Sequence, residues 1–330
     1  MKVLITGATG FLGSAVLRKL LGRGEEVRAM ARPNSDRSLL DGLDVEIVTG
    51  DLTDPASLKA AVKGCQALFH VAADYRLWVR DVAAMHRSNV EGTRNIVLAA
   101  ADAGADRIVH TSSVAVLATT PDGSPADETT PTTIDDMLGP YKRTKYLAEQ
   151  EVRKLVADRG VPAVIVNPSM PVGPRDIKPT PTGRMVLEAA AGRMKGYVDT
   201  GLNMVHVDDC AEGHLLAYDK GEIGERYILG GENLTLKEIL DEIAAITGGS
   251  PPWIKVPPEV VLPIAYAAQA WARLTNGAEP LVTVVGVRLA KKPHVFTSDK
   301  ARAALGYAPR PARQGLADAV TWFREHGYLR

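Results

Sequence analysis

Three glycines, Gly7, Gly10 and Gly13, stand three residues apart between a short apolar run, Lys2 to Thr6, and a stretch of helical periodicity, Phe11 to Arg23. No other feature limits the fold as strongly. Strand, glycine loop and helix in immediate succession need a tight turn at Gly7, close approach of the backbone to a pyrophosphate at Gly10, and close packing of helix on strand at Gly13. The helix then aims its free N–H groups and positive dipole end at the phosphates. Glycines cluster in many loops, so the strand-loop-helix context carries this reading. A dinucleotide is expected on Gly7, Thr9, Gly10, Phe11, Leu12 and Gly13.

Strand and helix signals go on alternating after the loop. Glu26 to Ala31, Val45 to Thr49, Ala67 to Val71, Arg107 to Thr111 and Val161 to Asn167 read as strands. Helical stretches run from about Asp81 to Ala103 and from Pro140 to Arg159, and Asp54-Pro55 supplies an N-cap and a first-turn proline for another. Repeated β-α units with near-continuous apolar strands imply a parallel sheet covered on both faces, a doubly wound (Rossmann) α/β fold. After Pro168 the pattern changes. Prolines cluster, strands become sparse, and helices are expected from Thr235, where Thr235-x-x-Glu238 is a capping box, and over 258–275, 299–305 and 314–326. The division expected is a dinucleotide domain over 1–168 and a smaller, mostly helical substrate domain over 169–330, with some segments of the latter returning to the first.

Composition excludes more than it identifies. Lys plus Arg (39) equals Asp plus Glu (39), so no bulk charge draws the chain to nucleic acid or an anionic membrane, and local basic clusters must be argued one at a time. Cys65 and Cys210 have no metal-ligand spacing and imply no disulfide framework, which fits a reduced, cytoplasmic compartment. The first residues resemble a signal peptide only superficially, because glycines break the apolar run and no cleavage site follows; they are expected to be mature structure. The apolar stretch Val260 to Ala272, interrupted by Pro263, is too short to span a bilayer and reads as a buried helix, with a peripheral membrane contact as the minor alternative.

The end of the second strand bears on which dinucleotide is bound. An NAD site places a carboxylate about 20 residues beyond the loop for the ribose 2′-hydroxyl. This chain has Ala31-Arg32-Pro33 there, and Arg32 offers a guanidinium fork to a 2′-phosphate, so NADP(H) is expected over NAD(H). Arg37 or Arg28 is a candidate assistant. Asp51 and Leu52 are placed for the adenine edge, and Ala72 and Ala73 for close backbone approach to the cofactor.

Tyr141 and Lys145 share a helix face one turn apart. A lysine there favours the tyrosinate electrostatically and can hold the nicotinamide ribose. Ser113 lies just past the strand Arg107 to Thr111, at the carboxyl edge where such sheets bind ligands, and its hydroxyl can bond a substrate oxygen while Tyr141 exchanges the proton.

These pieces together resemble the extended short-chain dehydrogenase/reductases, the class of NAD-dependent epimerase/dehydratases and dihydroflavonol-4-reductases. The matching segments are Thr6 to Gly13, Asp51-Leu52, His70-Val71-Ala72-Ala73, Asn89-Val90-Glu91-Gly92-Thr93, Thr111-Ser112-Ser113, Tyr141-Lys142-Arg143-Thr144-Lys145 and His206-Val207-Asp208-Asp209, spread over essentially the whole chain. The resemblance implies that Ser113, Tyr141 and Lys145 are catalytic, that Asn89 bends its helix and holds a water near Lys145, and that Pro168 and Ser169 flank the nicotinamide. Ala73 to Trp78, Asn167 to Gly183 and Val198 to Asn203 are further similar to the bacterial hopanoid-associated sugar epimerase group, whose name does not define a reaction.

Two uses of hydride transfer compete. A reductase of a small carbonyl releases oxidised cofactor at each turnover, whereas a sugar-nucleotide epimerase or dehydratase retains it. Arg32 leans to the reductase. Arg175, Lys178, Arg184 and Arg193 could supply diphosphate contacts for a sugar nucleotide, while Tyr75, Trp78 and Tyr197 would suit an apolar pocket. A non-catalytic dinucleotide sensor is the alternative from another class, and the intact Ser-Tyr-Lys set opposes it. His206, Asp208 and Asp209 read as a turn starting a helix and not as metal ligands. A homodimer through the helices 81–103 and 140–159 is the class expectation.

Overall fold

A computed structural model describes residues 1–275, 277, 280 and 282–329. Its centre is a seven-stranded parallel sheet. Strands β1 (Lys2–Thr6), β2 (Glu26–Ala31), β3 (Glu46–Thr49), β4 (Ala67–His70), β5 (Arg107–Thr111), β6 (Ala163–Pro168) and β10 (Arg226–Leu229) lie in the order β10-β6-β5-β4-β1-β2-β3. Successive side chains alternate between the faces. Val3 and Ile5 join Phe69, Val109 and Val164 beneath α1 (Phe11–Gly22) and α7 (Val207–Lys220). Leu4 joins Leu68, Ile108 and Ile165 beneath α2 (Pro55–Val62), α4 (Gly92–Asp102) and α5 (Gly139–Arg159). Both faces are therefore buried, which is why these strands are apolar at consecutive positions.

The chain leaves β1 toward β2 and β3, then returns to pair β4 on the other side of β1. This reversal opens a crevice at the carboxyl ends of β1 and β4, where doubly wound sheets bind ligands.

The expected helix over 81–103 is interrupted. After α3 (Val82–His86) comes a π-helical turn, Arg87–Glu91, and only then α4. The second half contains more strand than its prolines suggest: β7 (Met170–Val172), β9 (Gly201–His206) and β11 (Glu232–Thr235) form one small sheet, and β8 (Gly196–Tyr197) pairs with β12 (Ile254–Lys255). Helices α6 (Pro181–Ala190), α8 (Leu236–Thr247) and α12 (Ala312–Glu325) pack around Val186, Ile239 and Phe323, while α7, β10 and α11 (Asp299–Leu305) serve the central sheet. The Thr235–Glu238 capping box starts α8.

The reading of Val260 to Ala272 as a buried helix is corrected. Helix α9 (Pro258–Leu274) forms, but of its side chains only Ala265 and Ala272 are buried. It packs on α10 (Val284–Leu289) through Ala265, Val261 and Leu262, and that short helix leaves the other side of α9 uncovered.

Candidate active site

The glycine loop closes on itself. Gly7 has φ +78°, its carbonyl accepts the Gly10 N–H at 2.9 Å, and a Cβ on Gly7 would come within 2.7 Å of the Ala72 nitrogen. A Cβ on Gly13 would lie 2.0 Å from the Gly7 carbonyl oxygen, so helix and loop meet at backbone distance. Gly10 caps α1 with no side-chain hydrogen bond among the described residues, leaving the first-turn amides at Phe11 and Leu12 to a ligand. Thr9 stands half-buried in the same loop.

Arg32 is exposed at the end of β2. Asp51 accepts from the Thr53 amide at 2.8 Å and hydroxyl at 2.6 Å; these bonds hold its carboxyl below the usual carboxylate range, and the charge of Arg32 adds to the effect. Leu52 is buried against the start of α4. Arg28 is not an assistant to Arg32. Its guanidinium donates to the carbonyls of Ala61 and Lys63, both at 2.8 Å, because it sits in the first half of β2, away from the ligand edge.

A buried hydrogen-bond chain ties the crevice to α4, the π turn and α5. The Ala72 amide donates to Thr6 Oγ1 at 3.2 Å, Thr6 Oγ1 pairs with His70 Nδ1 at 2.8 Å, and His70 Nε2 pairs with Thr93 Oγ1 at 2.9 Å. Thr93 donates to the Asn89 carbonyl at 2.7 Å. Its hydroxyl must then accept from His70, so His70 carries its proton on Nε2. Burial, with Lys145 adding, lowers the His70 pKa to about 3 and keeps it neutral. Asn89 lies in the π turn, where its amide donates to the Asp74 carbonyl at 2.9 Å and Thr144 Oγ1 at 3.1 Å and its side-chain oxygen accepts the Asp74 amide at 2.8 Å. It thus joins the loop after β4, which includes Ala73, to α5.

Helix α5 places Tyr141 in its first turn and Lys145 one turn later. Lys145 is 3% exposed and donates to the Thr111 carbonyl at 2.7 Å. Burial lowers its pKa to about 8, with Glu149 opposing. Burial pushes the Tyr141 hydroxyl above its ordinary value, and a hydrogen bond with Ser113 pulls it back. All three side chains gather at the carboxyl end of β5, beside the crevice.

Three residues that the motifs do not mark hold Ser113 in place. Asn167 Nδ2 donates to the Ser113 carbonyl at 3.1 Å and to Glu149 Oε2 at 2.9 Å, and Arg226 on β10 donates to Glu149 Oε1 at 3.1 Å. Glu149 is four residues past Lys145, on the Tyr141 face, and that spacing was the one available signal. Ser112 Oγ, Asn167 Oδ1 and Ser169 Oγ are buried with no hydrogen-bond partner among the described residues. The glycine cradle, the uncapped α1 terminus and the orphaned hydroxyl of Ser169, next to Pro168, fit a bound dinucleotide.

Of the four cations considered for a diphosphate, three are engaged elsewhere. Arg175, at φ +77°, is bonded to Asp208; Lys178 lies 3.6 Å from Asp36, and Arg193 lies 2.6 Å from Glu188. Arg184 stands half-buried on α6. Trp78 is half-buried under the Arg80 guanidinium, 5.8 Å from its ring centroid, and Tyr197 is on β8. His206 caps α7, accepting the Asp208 amide at 3.0 Å and pairing with Asp318 at 3.1 Å, while Asp209 binds Arg310.

The fold and this site define an NAD(P)-binding enzyme of the oxidoreductase and epimerase class. The model of the NAD dependent epimerase/dehydratase family matches residues 3–230, and the chain belongs to that family. A putative dihydroflavonol 4-reductase of Synechocystis sp. is 44% identical over 99% of this chain and 95% of its own. Sterol demethylase protein B of Methylococcus capsulatus is 38% identical over 100% of both chains. The crystal structure of gox2253 superposes with a TM-score of 0.89 at 53% identity, covering 99% of each chain.

Proposed function

We propose that the chain is an NADP(H)-dependent reductase of a small-molecule carbonyl. The carrying observation is the convergence of Ser113, Tyr141 and Lys145 at the carboxyl end of β5, beside the glycine crevice. The dinucleotide, held by Gly7 to Gly13 with Asp51, Leu52, Ala72, Ala73, Pro168 and Ser169 around it, supplies the hydride when bound. Ser113 Oγ holds the substrate oxygen, Tyr141 Oη delivers the proton to it, and the Lys145 ammonium stabilises the tyrosinate left behind. Asn89 keeps α5 in register with the loop after β4. The engagement of Arg175, Lys178 and Arg193 favours this reading over a sugar-nucleotide epimerase or dehydratase with retained NAD(P), the second reading, which the family name and the hopanoid-associated likeness favour. The likeness to a sterol demethylase protein supports a polycyclic lipid as the carbonyl substrate. A division at residue 168, a homodimer through α4 and α5, and a reducing cytoplasmic setting for the free thiols Cys65 and Cys210 belong to the same proposal.

Two measurements test it. Arg32→Ala is expected to weaken NADPH binding about tenfold and leave NADH binding unchanged, since only the former has a 2′-phosphate for the guanidinium; equal losses for both would remove Arg32 from that role. The reductive rate is expected to fall as pH rises through about 8, because a lysine whose pKa is lowered to about 8 is a cation below that value and loses its charge above it. Lys145→Arg should move the alkaline limb upward, and a limb unmoved in that variant would assign it to another group.

A further inference from the structure

Helix α9 exposes an apolar stripe. Val260, Ile264, Ala267, Trp271 and Leu274 follow the helical period along one side, and Val260, Ile264, Trp271 and Leu274 are 58%, 60%, 70% and 81% exposed. Trp253, just ahead of the helix, is 83% exposed. No charged residue falls within the stripe. The charges lie along its flank: Arg273 on the helix itself, Lys291 paired with Glu259 at 2.8 Å, and Arg288 bonded to the Tyr266 hydroxyl at 2.9 Å. Between Trp253 and Lys292 the sequence has five cations, Lys255, Arg273, Arg288, Lys291 and Lys292, against two acids, Glu259 and Glu279, and Asp199 from outside that stretch pairs with Lys255 at 2.6 Å, which leaves a smaller basic excess in a chain whose overall charges balance.

We propose that this face docks on an anionic lipid bilayer, lying in the interface without crossing it. Among the described residues no helix is long and apolar enough to cross a membrane. An apolar helix face with a basic flank and tryptophans at its ends is the pattern of helices that lie in the headgroup layer, where an indole has both apolar contact and water for its N–H. Charge complementarity selects an anionic surface. Area disfavours a second copy of the chain as the occupant: a helix of 17 residues is ~25 Å long, and a strip ~10 Å wide along it covers ~250 Å², against about 800 Å² per partner in a stable interface.

Helix α9 and its partner α10 are joined to the segments that flank the site. Arg80 donates to the Ala272 carbonyl at 3.4 Å and the Gly277 carbonyl at 2.9 Å, and Val285 on α10 lies 3.1 Å from the Cβ position of Gly139, two residues before Tyr141. Docking therefore brings the enzyme to the bilayer, where an apolar carbonyl substrate is dissolved. This last consequence rests on the reductase reading; the docking itself does not.

The test is flotation of the full-length protein with phosphatidylglycerol/phosphatidylcholine vesicles and with phosphatidylcholine alone, read together with tryptophan emission. Binding to the anionic vesicles is expected, with a blue shift and loss in high salt. The exposed double variant Ile264→Ser/Trp271→Ser should reduce partition at least about tenfold, with NADPH binding and turnover of a water-soluble ketone unchanged. Arg273→Glu, which leaves the apolar stripe intact, should also weaken binding. Equal flotation of wild type and both variants overturns the proposal, as does the absence of flotation. So does sedimentation velocity showing a dimer that the double variant dissociates, which would make the stripe a contact between copies. Loss of turnover with flotation intact would count against the reductase reading alone.

Discussion

Replacing Tyr141 by phenylalanine is expected to lower kcat for carbonyl reduction by about 10³-fold, the scale of a general acid removed from a positioned site. The substitution deletes one oxygen. The ring stays packed in the first turn of α5, and Lys145 keeps its bond to the Thr111 carbonyl. NADPH affinity and thermal stability should stay near wild type. Ser113 is no substitute donor of comparable strength, since an aliphatic hydroxyl is a far weaker acid than a phenol. Stopped-flow binding of NADPH alongside steady-state turnover separates the two effects. Turnover within threefold of wild type would remove Tyr141 from proton transfer.

The second large effect is expected at Gly13. Alanine there places a Cβ 2.0 Å from the Gly7 oxygen, 2.5 Å from the Gly7 carbon and 3.0 Å from the Ala8 nitrogen, all backbone atoms that cannot rotate away. Either α1 moves off β1 or the loop opens, at a cost of about 1–3 kcal/mol in overpacking. The loop that moves is the one presenting its amides to the pyrophosphate, so Gly13→Ala should lose dinucleotide affinity at least about tenfold, on the scale of a positioning error near 1 Å, and melt several degrees lower. Gly10→Ala is the control for the melting effect alone, because a methyl at Gly10 meets the pyrophosphate when the dinucleotide binds. Within the chain that methyl meets nothing nearer than the Gly7 oxygen at 3.3 Å, so the fold should tolerate it. Calorimetric melting of both variants and NADPH titration of Gly13→Ala check these outcomes.

Much of the sheet was legible because a strand buried on both faces is a continuous apolar run between turn residues. Glu26–Ala31 and Arg107–Thr111 begin and end where their composition changes. The glycine loop and the Tyr141-x-x-x-Lys145 pair are local in sequence, so their spacing alone places them. The π turn at Arg87–Glu91 was not legible in the apolar period, since one extra residue in a turn shifts it too little to notice; only the family resemblance, which implies a bend at Asn89, pointed there. Nor was the Arg226–Glu149–Asn167 chain behind Ser113, whose members are 77 and 18 residues apart and meet only when β10, α5 and β6 assemble. The misreading of α9 has a different origin: an apolar helix reports what its side chains avoid, and says nothing of whether the protein itself supplies the cover. Arg28 and Arg32 show the same limit, because an arginine's destination depends on which end of the strand it occupies.

The most direct test of the assignment is to denature the purified protein, identify any nucleotide released, and titrate the native protein with NADPH and NADH. A reductase that exchanges its cofactor at each turnover should release little nucleotide and bind NADPH at least about tenfold tighter than NADH, the difference that one guanidinium–phosphate contact supplies. Release of one NAD per chain, with no preference for the phosphorylated form, would contradict it and establish a retained-cofactor epimerase or dehydratase in its place.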